Sequence, residues 1–248
     1  MAVSANTLFH FTDRKENLKG ILKNYFFPKY SLEDLSNVIP DSKISAANIP
    51  MVCFCDLLFS QIKYHIDFYG DYGIGLQKKE WGLAKGISPI VYVPKESKSA
   101  LLIQSIEIQL KTLLKKKDSK EEIQKQITDF FKYIKVYEGI AQNKISKKME
   151  YRAFYDEREW RYAPMKFRVL EEKEATENIL KKENKKMQED EKLIFNAKNI
   201  KYIIVREEDE IPEFVDFIEE DLKDKFKMPE RKLLVSKLIS VQQIRDDM

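Results

Sequence analysis

Seven consecutive residues, Asp156-Glu157-Arg158-Glu159-Trp160-Arg161-Tyr162, constrain the fold more than any other part of the chain. On an extended strand alternate side chains share a face. Glu157, Glu159 and Arg161 then line one side, and Arg158, Trp160 and Tyr162 the other. A solvated strand has little reason to choose that set. A buried one cannot carry two carboxylates and a guanidinium without partners. The segment is therefore either a functional site or a buried ion-pair network, and the residues alone leave both readings open.

The rest of the chain has enough apolar material to bury such a strand: 248 residues, 43% hydrophobic. Lys plus Arg is 44 and Asp plus Glu is 41, a net charge of only +3, which argues against a dedicated nucleic-acid binder. The longest basic run, Lys115-Lys116-Lys117, is followed by Asp118, Glu121 and Glu122 and reads as a solvated helix end. Cys53 and Cys55 are too close in sequence for an unstrained disulfide and lack a second pair for zinc, so reduced thiols and no metal are expected. No apolar run is long enough for a bilayer span and no signal pattern opens the chain; a cytoplasmic protein with no membrane association is the expectation.

The spacing predicts a strand over Thr7 to Thr12, with Leu8, His10 and Thr12 on one face and Phe9 and Phe11 on the other. Asp13 and Glu16 suggest a capping box for a helix carrying Leu18, Ile21 and Leu22 and ending at Asn24. Residues 27 to 50, rich in Ser, Asn, Asp and Pro, read as irregular. Met51 to Cys55 is a strand, Leu57 to His65 a short helix, and Tyr69-Gly70-Asp71-Tyr72-Gly73 a turn into a strand from Ile74 to Gln77; Pro89 to Val93 is another strand. Apolar periodicity between residues 96 and 148 predicts an inserted helical hairpin around Lys117-Asp118-Ser119. The charged stretch Glu171 to Glu191 is a solvent-facing helix or an excursion. Ile200 to Val205 is a strand, Ile211 to Leu222 a helix and Leu233 to Ile244 a final strand.

Candidate chemistry is sparse. Of the two histidines, His10 lies mid-strand and shares its face with Thr12, whereas His65 reads as packing beneath the glycine turn. Gly70, Gly73 and Gly75 lack dinucleotide or phosphate-loop spacing, and the flanking Tyr69 and Tyr72 are able either to stack on a planar ring or to fill a core. No nucleophile elbow or metalloprotease motif occurs.

Four blocks carry a resemblance: Leu8-Phe9-His10-Phe11-Thr12 with Leu18 and Ile21-Leu22; Pro50-Met51-Val52-Cys53-Phe54-Cys55-Asp56; His65 with Tyr69-Gly70-Asp71-Tyr72-Gly73-Ile74-Gly75-Leu76; and Glu157-Arg158-Glu159-Trp160-Arg161-Tyr162. In these the chain resembles the abortive-infection phage-resistance family AbiGi. The resemblance implies phage defence, with AbiGi the antitoxin-like member of a two-gene system and a cognate toxin, or a phage or host protein, as partner.

More distantly, the order of His10, the strand into the helix, the aromatic strand and the late Glu157-Arg158-Glu159 resembles the ADP-ribosyltransferase fold. That resemblance implies NAD as substrate. Glu159 would stabilise the oxocarbenium-like charge as nicotinamide leaves, and Glu157 would position or deprotonate the acceptor. His10, together with Thr12, would bind the ribose or carboxamide, Tyr69 or Tyr72 would stack on nicotinamide, and Arg161 would pair with a glutamate or a phosphate.

The expectation is one α+β domain over residues 1 to 248. A twisted, mostly antiparallel sheet with flanking helices is interrupted by the helical insertion at about 96–148. The leading function is phage defence with an ADP-ribosyltransferase-like core acting on NAD; the alternatives are a non-catalytic antitoxin or interaction module and, last, nucleic-acid binding through the lysine-rich helices.

Overall fold

The computed structural model describes residues 5–36, 46–114 and 120–247. In chain order the elements are β1 (Thr7–Thr12), α1 (Lys15–Asn24), β2 (Lys29–Asp34), β3 (Ala46–Cys55), α2 (Lys63–Tyr69), β4 (Tyr72–Gln77), β5 (Ser88–Pro89), β6 (Val91–Val93), α3 (Lys98–Leu114), α4 (Lys120–Phe131), β7 (Ile134–Val136), β8 (Glu138–Gln142), β9 (Met149–Ala153), β10 (Glu159–Tyr162), β11 (Leu170–Glu171), α5 (Glu177–Asp190), β12 (Ile200–Val205), α6 (Ile211–Asp216), α7 (Met228–Val235), β13 (Leu238–Ser240) and α8 (Val241–Asp247).

The architecture is α+β with a mostly antiparallel sheet. Its strand order is β13-β12-β4-β1-β3-β10-β5, and the β12–β13 pair is parallel. β3 organises it. Its C-terminal half pairs with β1 through Phe9↔Cys55 and with β10 through Glu159↔Cys55 to Tyr162↔Val52. Its N-terminal half pairs with β2 and β11.

Both faces of the central sheet are covered, so β1 reads as an almost continuous apolar run rather than an alternating one. Leu8, Phe54, Ile74 and Leu76 pack with Leu18 and Leu22 of α1 and with Phe214, Ile218 and Leu234 of the C-terminal helices. On the other face Phe9, Phe11 and Cys55 pack with Ile62, Ile66, Val241 and Ile244. Gly73 and Gly75 of β4 leave the room that the rings of Phe11 and Phe9 occupy. The glycine cluster thus serves packing.

Several expectations change. The region read as irregular between residues 27 and 50 contains β2 and the start of β3, and Pro50 lies inside β3, opposite Tyr30, rather than at its edge. Residues 37–45 fall outside the described residues. The insertion is helical only to Phe131; from Ile134 it becomes two small ribbons, β6–β7 parallel and β8–β9 antiparallel. Its Lys115-Lys116-Lys117 run and Lys117-Asp118-Ser119 turn lie outside the described residues. The Asp13–Glu16 capping box does not form: the cap residue is Arg14, with no side-chain cap bond. Pro89 to Val93 breaks at Ile90 into β5 and β6. Leu233 to Ile244 is the end of α7, a three-residue strand and α8, because Ser240 Oγ accepts from Gln243 N (3.0 Å) and starts a new helix. The charged stretch forms α5, capped by Thr176 and docked through Met187 and an Asn184 side chain that accepts from Tyr30 N.

Candidate functional site

The informative seven residues are not one continuous strand. Phe154 to Glu157 form a 3₁₀ turn, Arg158 adopts a left-handed conformation (φ 45°), and the strand begins at Glu159. The kink corrects the predicted alternation at Glu157, yet it leaves Glu157 and Glu159 converging on one cation. Lys135 Nζ lies 2.9 Å from Glu157 Oε2 and 2.9 Å from Glu159 Oε2. The other oxygen of Glu159 meets Arg161 Nε at 2.5 Å, and Arg161 Nη2 lies 2.9 Å from Glu33 Oε2. Glu157 Oε1 accepts from Tyr69 OH (2.6 Å) and lies 3.4 Å from Arg152 Nε. Tyr92 OH accepts the backbone N–H of Glu159 (2.8 Å), and Arg161 Nη1 donates to the Lys132 carbonyl (3.1 Å).

Three carboxylates, Glu33, Glu157 and Glu159, thus balance three cations, Lys135, Arg152 and Arg161. The centre is dry: Arg161 is 0% exposed, Glu157 3% and Glu159 5%. Burial alone would raise the pKa of Glu159, but Arg161 and Lys135 overcome it and hold the carboxyl well below the usual range. Burial likewise works against the charge on Lys135 and Arg161, and the carboxylates around them hold both firmly protonated. Burial, reinforced by Glu157, pushes the Tyr69 hydroxyl up, so it remains a donor. The Cys53 thiol is also raised, by burial and by Glu159. Both oxygens of Glu159 are engaged by cations.

The sheet register separates the remaining predicted residues from this cluster. Phe9, Cys55 and Glu159 stand opposite one another across three strands and share a face with Arg161 and Cys53. His10, opposite Ile74, and Thr12, opposite Tyr72, lie on the other face. His10 Nδ1 donates to the Cys53 carbonyl (2.8 Å) between the rings of Phe26 and Phe54, and burial lowers its pKa. Thr12 Oγ1 accepts from Asn17 (2.8 Å), and Tyr72 OH donates to Glu210 (2.7 Å). The structure brings together Glu157, Glu159, Arg161 and Tyr69; it leaves out His10, Thr12 and Tyr72. The contacts expected for one NAD molecule therefore lie on both sides of a packed sheet.

Lys135, Arg152, Glu33 and Tyr92 are absent from the sequence reading. Lys135 alternates with buried Ile134 and Val136 on β7, and Tyr92 stands beside it on β6. β9 is inverted: Glu150 and Arg152 point inward while Met149 and Tyr151 are 64% and 68% exposed. That inverted alternation, Met-Glu-Tyr-Arg, is the available signal. Among the described residues no three His, Cys, Asp or Glu side chains come together as a metal cage, and no helix is long and apolar enough to cross a membrane.

The family model described as "Putative abortive phage resistance protein AbiGi, antitoxin" matches residues 24–206, well over half of the chain. The chain belongs to the AbiGi family. It is also 27% identical over 252 aligned positions to an abortive phage resistance protein AbiGi from Lactococcus lactis subsp. cremoris, covering 90% of this chain and 99% of that relative. No solved structure matches. The AbiGi match spans β2 through β12 and therefore includes the whole ion-pair cluster.

Proposed function

We propose that this AbiGi chain is the antitoxin-type component of an abortive phage-resistance system and acts by binding a cognate toxin rather than by chemistry. The observation that carries this reading is the closed, charge-balanced cluster: Glu159 has both oxygens occupied by cations, and His10 lies across the sheet from it. The family description supplies the direction, since it names an antitoxin. The surface supports it as well. Leu101, Leu102, Ile106 and Ile108 of α3 are exposed, as are Ile140, Met149 and Tyr151 on the outer face of the β8–β9 ribbon. Apolar side chains grouped in this way suit a protein partner better than water.

The rival, an ADP-ribosyltransferase-like enzyme that cleaves NAD, requires Glu159 and His10 in one cleft. Two measurements on the full chain separate the readings. The antitoxin reading predicts that co-expression restores growth of cells carrying the cognate toxin, and that purified chain releases no nicotinamide from NAD above the protein-free control. Nicotinamide release, lost on Glu159→Gln in a folded variant, would overturn it.

A further inference from the structure

A cleft of about 590 Å³ opens beside the cluster, between α2 and the segment from β9 to Arg158. Its volume falls within the range of roughly 300–1,000 Å³ usual for small-molecule sites. Tyr64, His65, Phe68, Arg152, Tyr155 and Arg158 line it. Two polar atoms shut off from solvent here lack a hydrogen-bond partner: His65 Nδ1 and Arg152 Nε. A buried polar atom without a partner costs free energy, and a native structure tolerates it where a ligand or ordered water completes it.

Arg152 sits over Phe68, its guanidinium carbon 3.8 Å from the ring centroid. Its ion pair with Glu157 at 3.4 Å leaves the Nε hydrogen unused. His65 packs on Tyr69 with ring centroids 4.4 Å apart. Burial, helped by the charges of Arg152 and Lys135, pushes its pKa down to about 3, so the ring is neutral near pH 7 and carries one donor nitrogen. Of the acids around the cleft, Asp67 is paired with Arg245, and Glu150 accepts from Asn143 (3.0 Å) and Ser146 (3.3 Å); Asp156 is the third. Two guanidiniums and a neutral imidazole meet there, with the Asp156 carboxylate in the same aromatic-rimmed lining.

We propose that this cleft binds a small oxyanion-bearing molecule, a carboxylate or a phosphate ester, with Arg152 Nε and His65 Nδ1 as buried donors and Arg158 at the mouth. Charge-assisted hydrogen bonds to an oxyanion are the strong ones, and a guanidinium already seated over a ring loses little freedom in making them. The site is independent of whether the chain acts as an antitoxin.

The test is a titration of the full chain with sodium phosphate and, separately, sodium acetate, at ionic strength held constant with chloride. The arginine Nε–H resonances are followed by ¹⁵N NMR. Saturable movement of the Arg152 Nε–H signal is expected with at least one anion. Phosphate alone assigns a phosphate ligand and acetate alone a carboxylate. His65→Phe and Arg158→Gln should each weaken binding by about tenfold or more at an unchanged unfolding temperature. Arg158→Gln carries the test if His65→Phe does not fold. No saturable shift with either anion, or wild-type binding by the folded variants, overturns the proposal.

Discussion

Replacing Glu159 with glutamine removes one charge from a cluster in which Glu33, Glu157 and Glu159 balance Lys135, Arg152 and Arg161. Three buried or half-buried cations then face two carboxylates. The new amide must also turn a donor toward either Arg161 Nε or Lys135 Nζ, which are themselves donors at 2.5 and 2.9 Å from the present oxygens. Breaking one member out of a buried ion pair costs about 3–5 kcal/mol. For a chain of this size, that is a fall of roughly 6–20 °C in unfolding temperature. The pH dependence has a definite sign. The carboxyl of Glu159 is held below its ordinary value of 4.5, so its contribution is present above that pH and is lost as the pH falls. The wild type should therefore lose stability below about pH 4.5 more steeply than Glu159→Gln. Adding Lys135→Met restores charge balance, and the double variant should recover about 1–3 kcal/mol relative to the sum of the single changes. Thermal and urea unfolding of the four proteins measure all of this. A loss under about 1 kcal/mol for Glu159→Gln, with no coupling to Lys135, would refute the network reading.

Other consequences are separable. His65 has an ordinary pKa of 6.5 and a folded one of about 3, so the folded state binds fewer protons between those values and stability falls as pH drops through them. Its ring-proton shifts should stay flat from about pH 8 to 5, and a midpoint near the ordinary value contradicts its burial. Gly70 has φ 127° and a hydrogen-to-methyl change there drives a Cβ into the Thr12 and Asp13 backbone, so Gly70→Ala should destabilise by at least about 3 kcal/mol. Gly20 lies in α1 with open space around its Cα, so Gly20→Ala should stabilise by about 0.5–1 kcal/mol; chemical denaturation reads both signs. Changing Leu101, Leu102 and Ile106 together to glutamine should leave the unfolding temperature nearly unchanged and weaken toxin neutralisation in co-expression. Full neutralisation would remove α3 from the binding surface.

The elements with strong period or punctuation were legible in the sequence: β1, α1, β4, β12 and the α6 region follow from local pattern, whereas the helix expected over Leu57 to His65 is displaced, α2 running from Lys63 to Tyr69 after a 3₁₀ turn at Phe59–Gln61. β2 and the first half of β3 were not. β2 is mostly polar and the first half of β3 holds two alanines, Asn48 and Pro50, and they are held in strand by pairing with each other across 12 or more residues, which no local propensity encodes. The same holds for the site. Glu157, Glu159 and Arg161 announced a need for partners, but Lys135 and Arg152 come from two separate ribbons, on β7 and β9, and Glu33 from β2. The segregation of His10 from Glu159 depends on register. Phe9 opposite Cys55 fixes which face each strand presents, and a slip of one residue would have placed them together.

The most direct test of the central claim is phage protection by the Glu159→Gln, Lys135→Met double variant, produced with its cognate toxin and compared with wild type. This variant deletes the carboxylate on which NAD cleavage would depend while keeping two carboxylates against two cations in the cluster, Glu33 and Glu157 with Arg152 and Arg161. If the chain acts by binding and the cluster only holds the fold, protection equals that of the wild type at any temperature where the double variant is still folded. Loss of protection by a double variant that is folded at the assay temperature would contradict the account and return Glu159 to a chemical role.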